Sequence, residues 1–374
     1  MGKKLYVIAG EASGDLHGGN LIRALNDQAG GEELMVRAWG GDQMQAAGAE
    51  VVKHYRELAF MGFTQVLLNL RTILGNIKAC KADILSFKPD AIILIDYPGF
   101  NLRIADFAHA QGIKVFYYIS PQVWAWKAGR VKTIKRVVDR MFVILPFEKD
   151  WYAERGVEVE FVGHPLLDAI EREHLELNDP NVNVDPRPVV ALLPGSRMQE
   201  LKRMLPVMLS VVKHFPDHRF VVAGAPSIPE GVYRSYIGSA PVELITGRTY
   251  GLLRKAKAAL VTSGTATLET ALIGTPEAVC YGGGAVNVWL AKRFIKVPFI
   301  SLVNLIMGRE VVRELIQDKL EPKELRKELD RLLNDTAYRE RMKADLRELR
   351  VKLGGPGASA HVADQVWKSL HEQP

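Results

Sequence analysis

The sequence predicts an α/β protein built from two Rossmann-like, doubly wound parallel-sheet domains in tandem, facing each other across a cleft. Three observations carry this. Apolar runs of strand length recur along the chain with helical segments between them, and such alternation gives parallel sheets covered on both faces. The first run leads straight into a glycine loop and a helix, which is how a doubly wound sheet opens. After a loop-rich stretch near residue 180, the whole pattern restarts.

In the first half the strands fall at 5–9, 35–39, 91–96, 114–119 and 141–145. A helix is expected over 16–29, with Leu21, Ile22 and Leu25 on one face. The stretch from Asn178-Asp179-Pro180 to Pro186-Arg187-Pro188 is poor in apolar residues and reads as an interdomain linker. Further strands follow at 189–193, 219–223, 242–245, 258–261 and 278–281, with helices such as 201–214 and 267–273 between them. Residues 321–350 are highly charged with helical leucine spacing, and Gly354-Gly355-Pro356-Gly357 ends that run. A last helix, 358–370, returns to the first domain. The domains are thus placed at 1–183, completed by 358–370, and at 187–345.

The 374 residues are 48% hydrophobic and 25% charged, an ordinary globular composition with room for an ample core. The net charge of +6 points to an anionic partner: nucleic acid, an acidic membrane surface or a phosphorylated substrate. Cys80 and Cys280 are the only cysteines and lie far apart, which argues against a disulfide framework or zinc ribbon and for a reducing compartment. No secretory leader is expected, because the first apolar run is short and meets an acidic loop.

That loop is Gly10-Glu11-Ala12-Ser13-Gly14-Asp15. Ligands bind off the carboxyl ends of such strands. Its glycine spacing fails the dinucleotide pattern G-x-G-x-x-G, and no G-x-x-x-x-G-K-[ST] occurs in the chain. Glu11 and Asp15 would repel phosphate, so the loop suits hydroxyl groups, as on a sugar. The plainer alternative is a capping turn with Ser13 or Asp15 as N-cap. In the second half, Leu193-Pro194-Gly195-Ser196-Arg197 ends a strand; Gly195 allows close backbone approach, Ser196 offers a hydroxyl and Arg197 can clamp a phosphate. A plain turn is the alternative. The run Thr262-Ser263-Gly264-Thr265-Ala266-Thr267-Leu268-Glu269 follows a strand and opens a helix, a natural phosphate cradle. Glu269, one turn in, can take ribose hydroxyls or simply complete a capping box.

The pattern S-G-x-x-T-x-E followed by Gly274-Thr275-Pro276 resembles the nucleotide-sugar loop of GT-B glycosyltransferases. The first loop, Ser120-Pro121-Gln122-Val123-Trp124-Ala125-Trp126, Leu145-Pro146-Phe147-Glu148, Gly163-His164-Pro165, Trp289-Leu290-Ala291-Lys292-Arg293, Ser301-Leu302-Val303-Asn304-Leu305 and Gly308-Arg309-Glu310 narrow the resemblance to the lipid-A-disaccharide synthases. It covers residues 5–320, and the order and number of these motifs make it specific. It implies an inverting, metal-independent transfer without a cofactor. UDP-2,3-diacylglucosamine and 2,3-diacylglucosamine 1-phosphate give a β-1,6-linked disaccharide 1-phosphate and UDP, on the pathway to lipid A and lipopolysaccharide. The chain has no D-x-D metal motif, so helix N-termini, backbone N–H groups and cations must stabilise the leaving diphosphate.

Inversion needs a base for the attacking 6-hydroxyl. Asp96 is the candidate, ending a central strand before Pro98-Gly99, with Asn101 near; a structural aspartate capping the next helix is the alternative. Tyr97 and Gly99 stand where the family commonly has other residues. Glu11 and Asp15 are the rival candidates for the base, and the resemblance implies that Glu11 and Ser13 hold the acceptor or tune the base; Ser13, Asp15 and Asn101 are placed at the acceptor. It places Gly195, Ser196, Arg197, Ser263, Gly264, Thr265, Glu269, Asn304, Arg309, Glu310 and Gln317 on the UDP side. His17 and His164 are read as structural.

Acylated substrates imply a membrane-facing surface. Residues 58–77 carry a single charge, Arg71, and one polar stripe of Gln65, Asn69, Thr72 and Asn76; the rest is apolar, including Phe60, Met61, Phe63, Leu67, Leu68 and Leu70. An interfacial helix or acyl groove fits better than a membrane span, and a buried core helix is the alternative. Trp124 and Trp126 precede a basic run that includes Arg130, as at lipid interfaces, though a solvated helix face would look similar. No nucleic-acid fold pattern accompanies it. The expectation is a cytoplasmic enzyme, peripheral on the inner membrane, and a homodimer through C-terminal segments as in the family. The competing readings are a UDP-N-acetylglucosamine 2-epimerase-like enzyme and a non-catalytic membrane-binding protein on the same scaffold.

Overall fold

A computed structural model describes residues 2–58, 70–126, 128–176, 185–282 and 298–372. The chain forms two compact units, Met1–Ala169 with Leu353–Pro374, and Ile170–Lys352.

Unit 1 holds a seven-stranded parallel sheet made of β1 (Lys3–Ala9), β2 (Leu34–Gly40), β3 (Glu50–His54), β4 (Ala91–Ile95), β5 (Lys114–Tyr118), β6 (Arg140–Val143) and β7 (Glu160–Phe161), in the order β3-β2-β1-β4-β5-β6-β7. Its described helices are α1 (Ala12–Ala29), α2 (Asp42–Ala46), α3 (Leu70–Phe87), α4 (Pro98–Ala110), α5 (Val123–Trp126), α6 (Val131–Val137), α7 (Pro146–Ala153) and α8 (Leu166–Glu176). The central strands are apolar on both faces because both are covered. Tyr6, Ile92, Leu94 and Tyr117 face one core, and Leu5, Val7, Ile93 and Phe116 face the other. Each such buried side chain contributes roughly 1.5–3 kcal/mol.

Unit 2 holds a six-stranded parallel sheet of β8 (Val189–Leu193), β9 (Arg219–Gly224), β10 (Val242–Thr246), β11 (Ala256–Thr262), β12 (Glu277–Tyr281) and β13 (Arg313–Ile316), ordered β10-β9-β8-β11-β12-β13. Its helices are α9 (Met198–Ser210), α10 (Glu230–Ile237), α11 (Thr249–Lys255), α12 (Thr265–Ile273), α13 (Leu302–Met307), α14 (Pro322–Asn334) and α15 (Thr336–Lys352). The last helix, α16 (Ala358–His371), belongs to unit 1, where Val362, Ala363 and Val366 join the core that α1 closes with Leu21, Ile22 and Leu25.

The unit boundary differs from the expected one. It falls inside α8, between Ala169 and Ile170, rather than at 183–187, and the return falls after Lys352 rather than at 345. The bonds along α8 explain this. Asp168 accepts the Gly357 and Ser359 amides at the start of α16, whereas the Ile170 carbonyl accepts from Arg254. The linker residues 177–184 lie outside the described residues.

Each sheet reverses its strand order once, at β1/β4 and at β8/β11. Loops leaving the carboxyl ends of strands at such a reversal border a crevice where ligands sit. The loops singled out by sequence leave β1, β4, β8 and β11.

Candidate active site

In unit 1 the register pairs Ala9 with Ile95, so the loops after β1 and β4 start side by side. Gly10 is required there, because a Cβ would come within 2.4 Å of the Tyr97 ring. Asp96 and Tyr97 both take left-handed backbone, φ 43° and 48°, a costly conformation for residues with a Cβ. Side-chain donors hold it. Asn101 donates its amide to the carbonyls of Ile95 (3.1 Å) and Asp96 (2.8 Å), and Tyr117 donates its hydroxyl to the Asp96 carbonyl at 2.6 Å. The Asp96 carboxyl reaches solvent, yet protein hems it in on its other sides. Burial, and then the nearby charge of Glu11, push its pKa up to about 7. A carboxyl poised there is matched to proton abstraction near neutral pH. Ser13 is exposed in the first turn of α1.

In unit 2 the loop after β11 opens α12 with Gly264 as N-cap and no side-chain cap. Ser263 donates its amide to Cys280 and Thr267 donates its amide to Gly264. The amides of Gly264, Thr265 and Ala266 meet no acceptor among the described residues, and Gly264 and Thr265 are exposed. That is an open helix N-terminus with the partial charge to hold a phosphate. Glu269 is half-buried and accepts from the Tyr250 hydroxyl at 3.1 Å, and burial raises its pKa. The loop after β8 turns at Gly195 (φ 102°). Here the Ser196 and Arg197 amides donate to Glu200, as does the Arg197 guanidinium. Ser196 and Arg197 are exposed. Gln317 follows β13 with φ 52°.

Residues 5–364 match the family model described as lipid-A-disaccharide synthetase. A lipid-A-disaccharide synthase of Syntrophus aciditrophicus is 42% identical over 373 residues, covering 96% of each chain. That of Myxococcus xanthus is 40% identical, covering 98% of this chain and 97% of its own. The chain belongs to the lipid-A-disaccharide synthase family. It is a glycosyltransferase. Among solved structures, the glycotransferase of kitacinnamycin overlays with a TM-score of 0.65 at 17% identity, over 99% of this chain and all of that one. The UDP-GlcNAc 2-epimerase of Neisseria meningitidis gives 0.67 at 16% identity, over 98% of this chain and all of that one. Both show the GT-B fold, which transferase and epimerase share, so it is the family and not the scaffold that favours glycosyl transfer.

Against the family's expected residue roles, several side chains are already engaged. Asp15 is buried and accepts the amides of Gly41, Gln43 and Met44, so it fastens α1 to the start of α2 rather than facing an acceptor. Asn101 is fully buried beneath Asp96 and positions that residue instead of touching a sugar. Asn304 is fully buried; it donates to the Val312 carbonyl and Glu314 and accepts the Val311 and Val312 amides, leaving nothing for a diphosphate. Arg309 joins Asp345 and Glu348 on α15, and Glu310 joins Arg313.

Trp124 is half-buried, with its indole N–H on Glu148 and its ring edge-on to Phe147, not turned out to lipid. Arg130 is half-buried near Tyr117 and Arg103. Phe60, Met61, Phe63, Leu67 and Leu68 lie outside the described residues, as do the side chains of Leu70 and Trp126. Among the described residues no helix is long and apolar enough to cross a membrane.

Sequence reasoning missed the parts played by Tyr97, Tyr117 and Glu148. Glu148 is buried, accepts from Trp124 and the Ile144 and Leu145 amides, and has its pKa pushed up to about 7 by burial. Its place as N3 after Leu145-Pro146 was the available signal.

Proposed function

We propose that the chain transfers the diacylglucosaminyl group of UDP-2,3-diacylglucosamine to the 6-hydroxyl of 2,3-diacylglucosamine 1-phosphate, with inversion. Asp96 takes the hydroxyl proton as the oxygen forms its bond to the anomeric carbon. The bond from that carbon to the diphosphate breaks, and its electron pair leaves with UDP. Glu11 keeps the Asp96 carboxyl basic enough to accept the proton, and Ser13 orients the acceptor. The free amides at the start of α12, with Ser263 and Thr265, receive the diphosphate charge, and no metal is needed. Gly195 lets the loop after β8 approach the nucleotide, Ser196 and Arg197 supply further donors, Glu269 takes ribose hydroxyls, and Gln317 closes the nucleotide side. Peripheral attachment to the cytoplasmic face of the inner membrane follows from the substrates' acyl chains, and association into a homodimer from the family.

The observation that carries this reading is Asp96: a solvent-reachable carboxyl at the end of β4, held at about pH 7 beside Glu11. The test mixes both lipid substrates with the protein in detergent and EDTA and follows UDP and disaccharide by mass. Acceptor-dependent formation of both is expected. UDP release without acceptor would indicate hydrolysis or epimerase-like elimination instead, and Asp96→Asn with near-normal turnover would remove the base assignment.

A further inference from the structure

Away from these loops, unit 2 encloses a cavity of about 270 Å³ walled by the end of α11, the start of β11, the Gly274-Thr275-Pro276 turn and α15. Four half-buried cations line it: Arg254, Lys257, Arg339 and Lys343. Lys257 is brought there by a bulge. β11 steps from Ala256 to Ala258 while β8 steps only from Val189 to Val190, which removes Lys257 from the ladder; a bulge re-aims the side chain it frees.

Lys257 has no hydrogen bond or ion pair among the described residues. Arg254 gives one nitrogen to the Ile170 carbonyl, and Arg339 holds the Leu332 and Leu333 carbonyls. Each guanidinium has five N–H donors, so both keep some in reserve. Against these four charges stands Glu340, 3.1 Å from Lys343 and 3.9 Å from Arg339. Glu277 adjoins the turn, but it is fully buried, and burial raises its pKa well above the usual carboxylate range, which disfavours its charged form. Arg339 and Lys343 also stand one turn apart on α15, a like-charge spacing that an empty site would not favour.

We propose that this cavity binds a phosphate-type oxyanion, supplied by a soluble phosphate compound or by the headgroup of an anionic lipid. Arginine forks match paired phosphate oxygens, and lysines add point charge. The inference is independent of the transfer reaction and of the donor loops.

The test uses the full chain with saturating UDP to occupy the donor loops. Pyrophosphate is titrated calorimetrically, and co-sedimentation with phosphatidylglycerol vesicles is compared with phosphatidylcholine. The double substitution Lys257→Gln with Lys343→Gln is expected to weaken binding roughly 30-fold, with glycosyl transfer in detergent unchanged as a check on folding. Lys257→Arg with Lys343→Arg should keep binding. Loss in the pyrophosphate arm identifies a soluble ligand, and loss confined to phosphatidylglycerol vesicles identifies a headgroup. Equal behaviour of wild type and the glutamine variant in both arms overturns the proposal.

Discussion

The side-chain amide of Asn101 lies 2.8 Å from the main-chain carbonyl of Asp96, directly beneath the left-handed turn that presents the Asp96 carboxyl. The Tyr117 hydroxyl reaches the same carbonyl from β5. Two buried donors on one oxygen fix a backbone that would otherwise relax.

Asn101→Ala should therefore act on turnover more than on donor binding. We expect kcat to fall roughly 10- to 100-fold, the equivalent of losing about 1–3 kcal/mol of buried hydrogen bonding, with the donor KM little changed. Steady-state kinetics with Tyr117→Phe alongside checks this; a KM effect with kcat intact would contradict it.

The pH dependence follows from Asp96. Its pKa of about 7 means that the base is lost to protonation as pH falls through that value. The turnover limb should therefore rise through about pH 7. Glu11→Gln removes the second cause of the shift and should move the limb toward lower pH. For stability the sign is opposite. The folded pKa lies above an unfolded value of about 3.9, so this group's contribution is full below about pH 4 and is lost as pH rises through about 7.

A second pH effect comes from the buried histidines of unit 1. Burial holds His17 down at about 4 and His164 at about 3. Folded values below the unfolded 6.5 mean that their contribution is full above pH 6.5 and is lost as pH falls toward 4 and 3. Urea unfolding between pH 7 and pH 4 should show the loss, and His164→Gln should flatten the curve. An unchanged slope would show that other groups drive acid unfolding.

Asp15→Ala should destabilise rather than merely weaken acceptor binding. Three amides, of Gly41, Gln43 and Met44, would lose their acceptor, at a cost of roughly 2–4 kcal/mol. Thermal melting measures it; a melting point near wild type with a raised acceptor KM would return Asp15 to the substrate.

Gly195→Ala places a Cβ 2.5 Å from the Glu200 carboxylate on a backbone at φ 102°. Glu200 must then release the Ser196 and Arg197 amides. We expect weaker UDP binding, by roughly tenfold, measured by calorimetry.

Much of the fold is legible in the sequence because buried parallel strands are continuous apolar runs. All ten strands read from the chain are present, with ends shifted by a few residues. The three missed, β3, β7 and β13, are short, charged and at or next to sheet edges. EVVKH, EF and RELI lack the apolar run because one side of such a strand has little to cover it. Composition marks the loop near residue 180 as a linker, whereas Asp168 and Ile170 show where bonding partners change.

The sequence by itself determined two doubly wound sheets, the family, and the loops and strand ends that carry Glu11, Asp96 and the start of α12. These follow from local pattern: apolar periodicity, glycine position and motif order. Only the tertiary structure decided which polar side chains are already engaged. Asn304, Asn101 and Asp15 look like ligand contacts in one dimension, yet each is buried with backbone partners. A buried polar group must find a partner, and that partner is set by folding, not by neighbours in sequence.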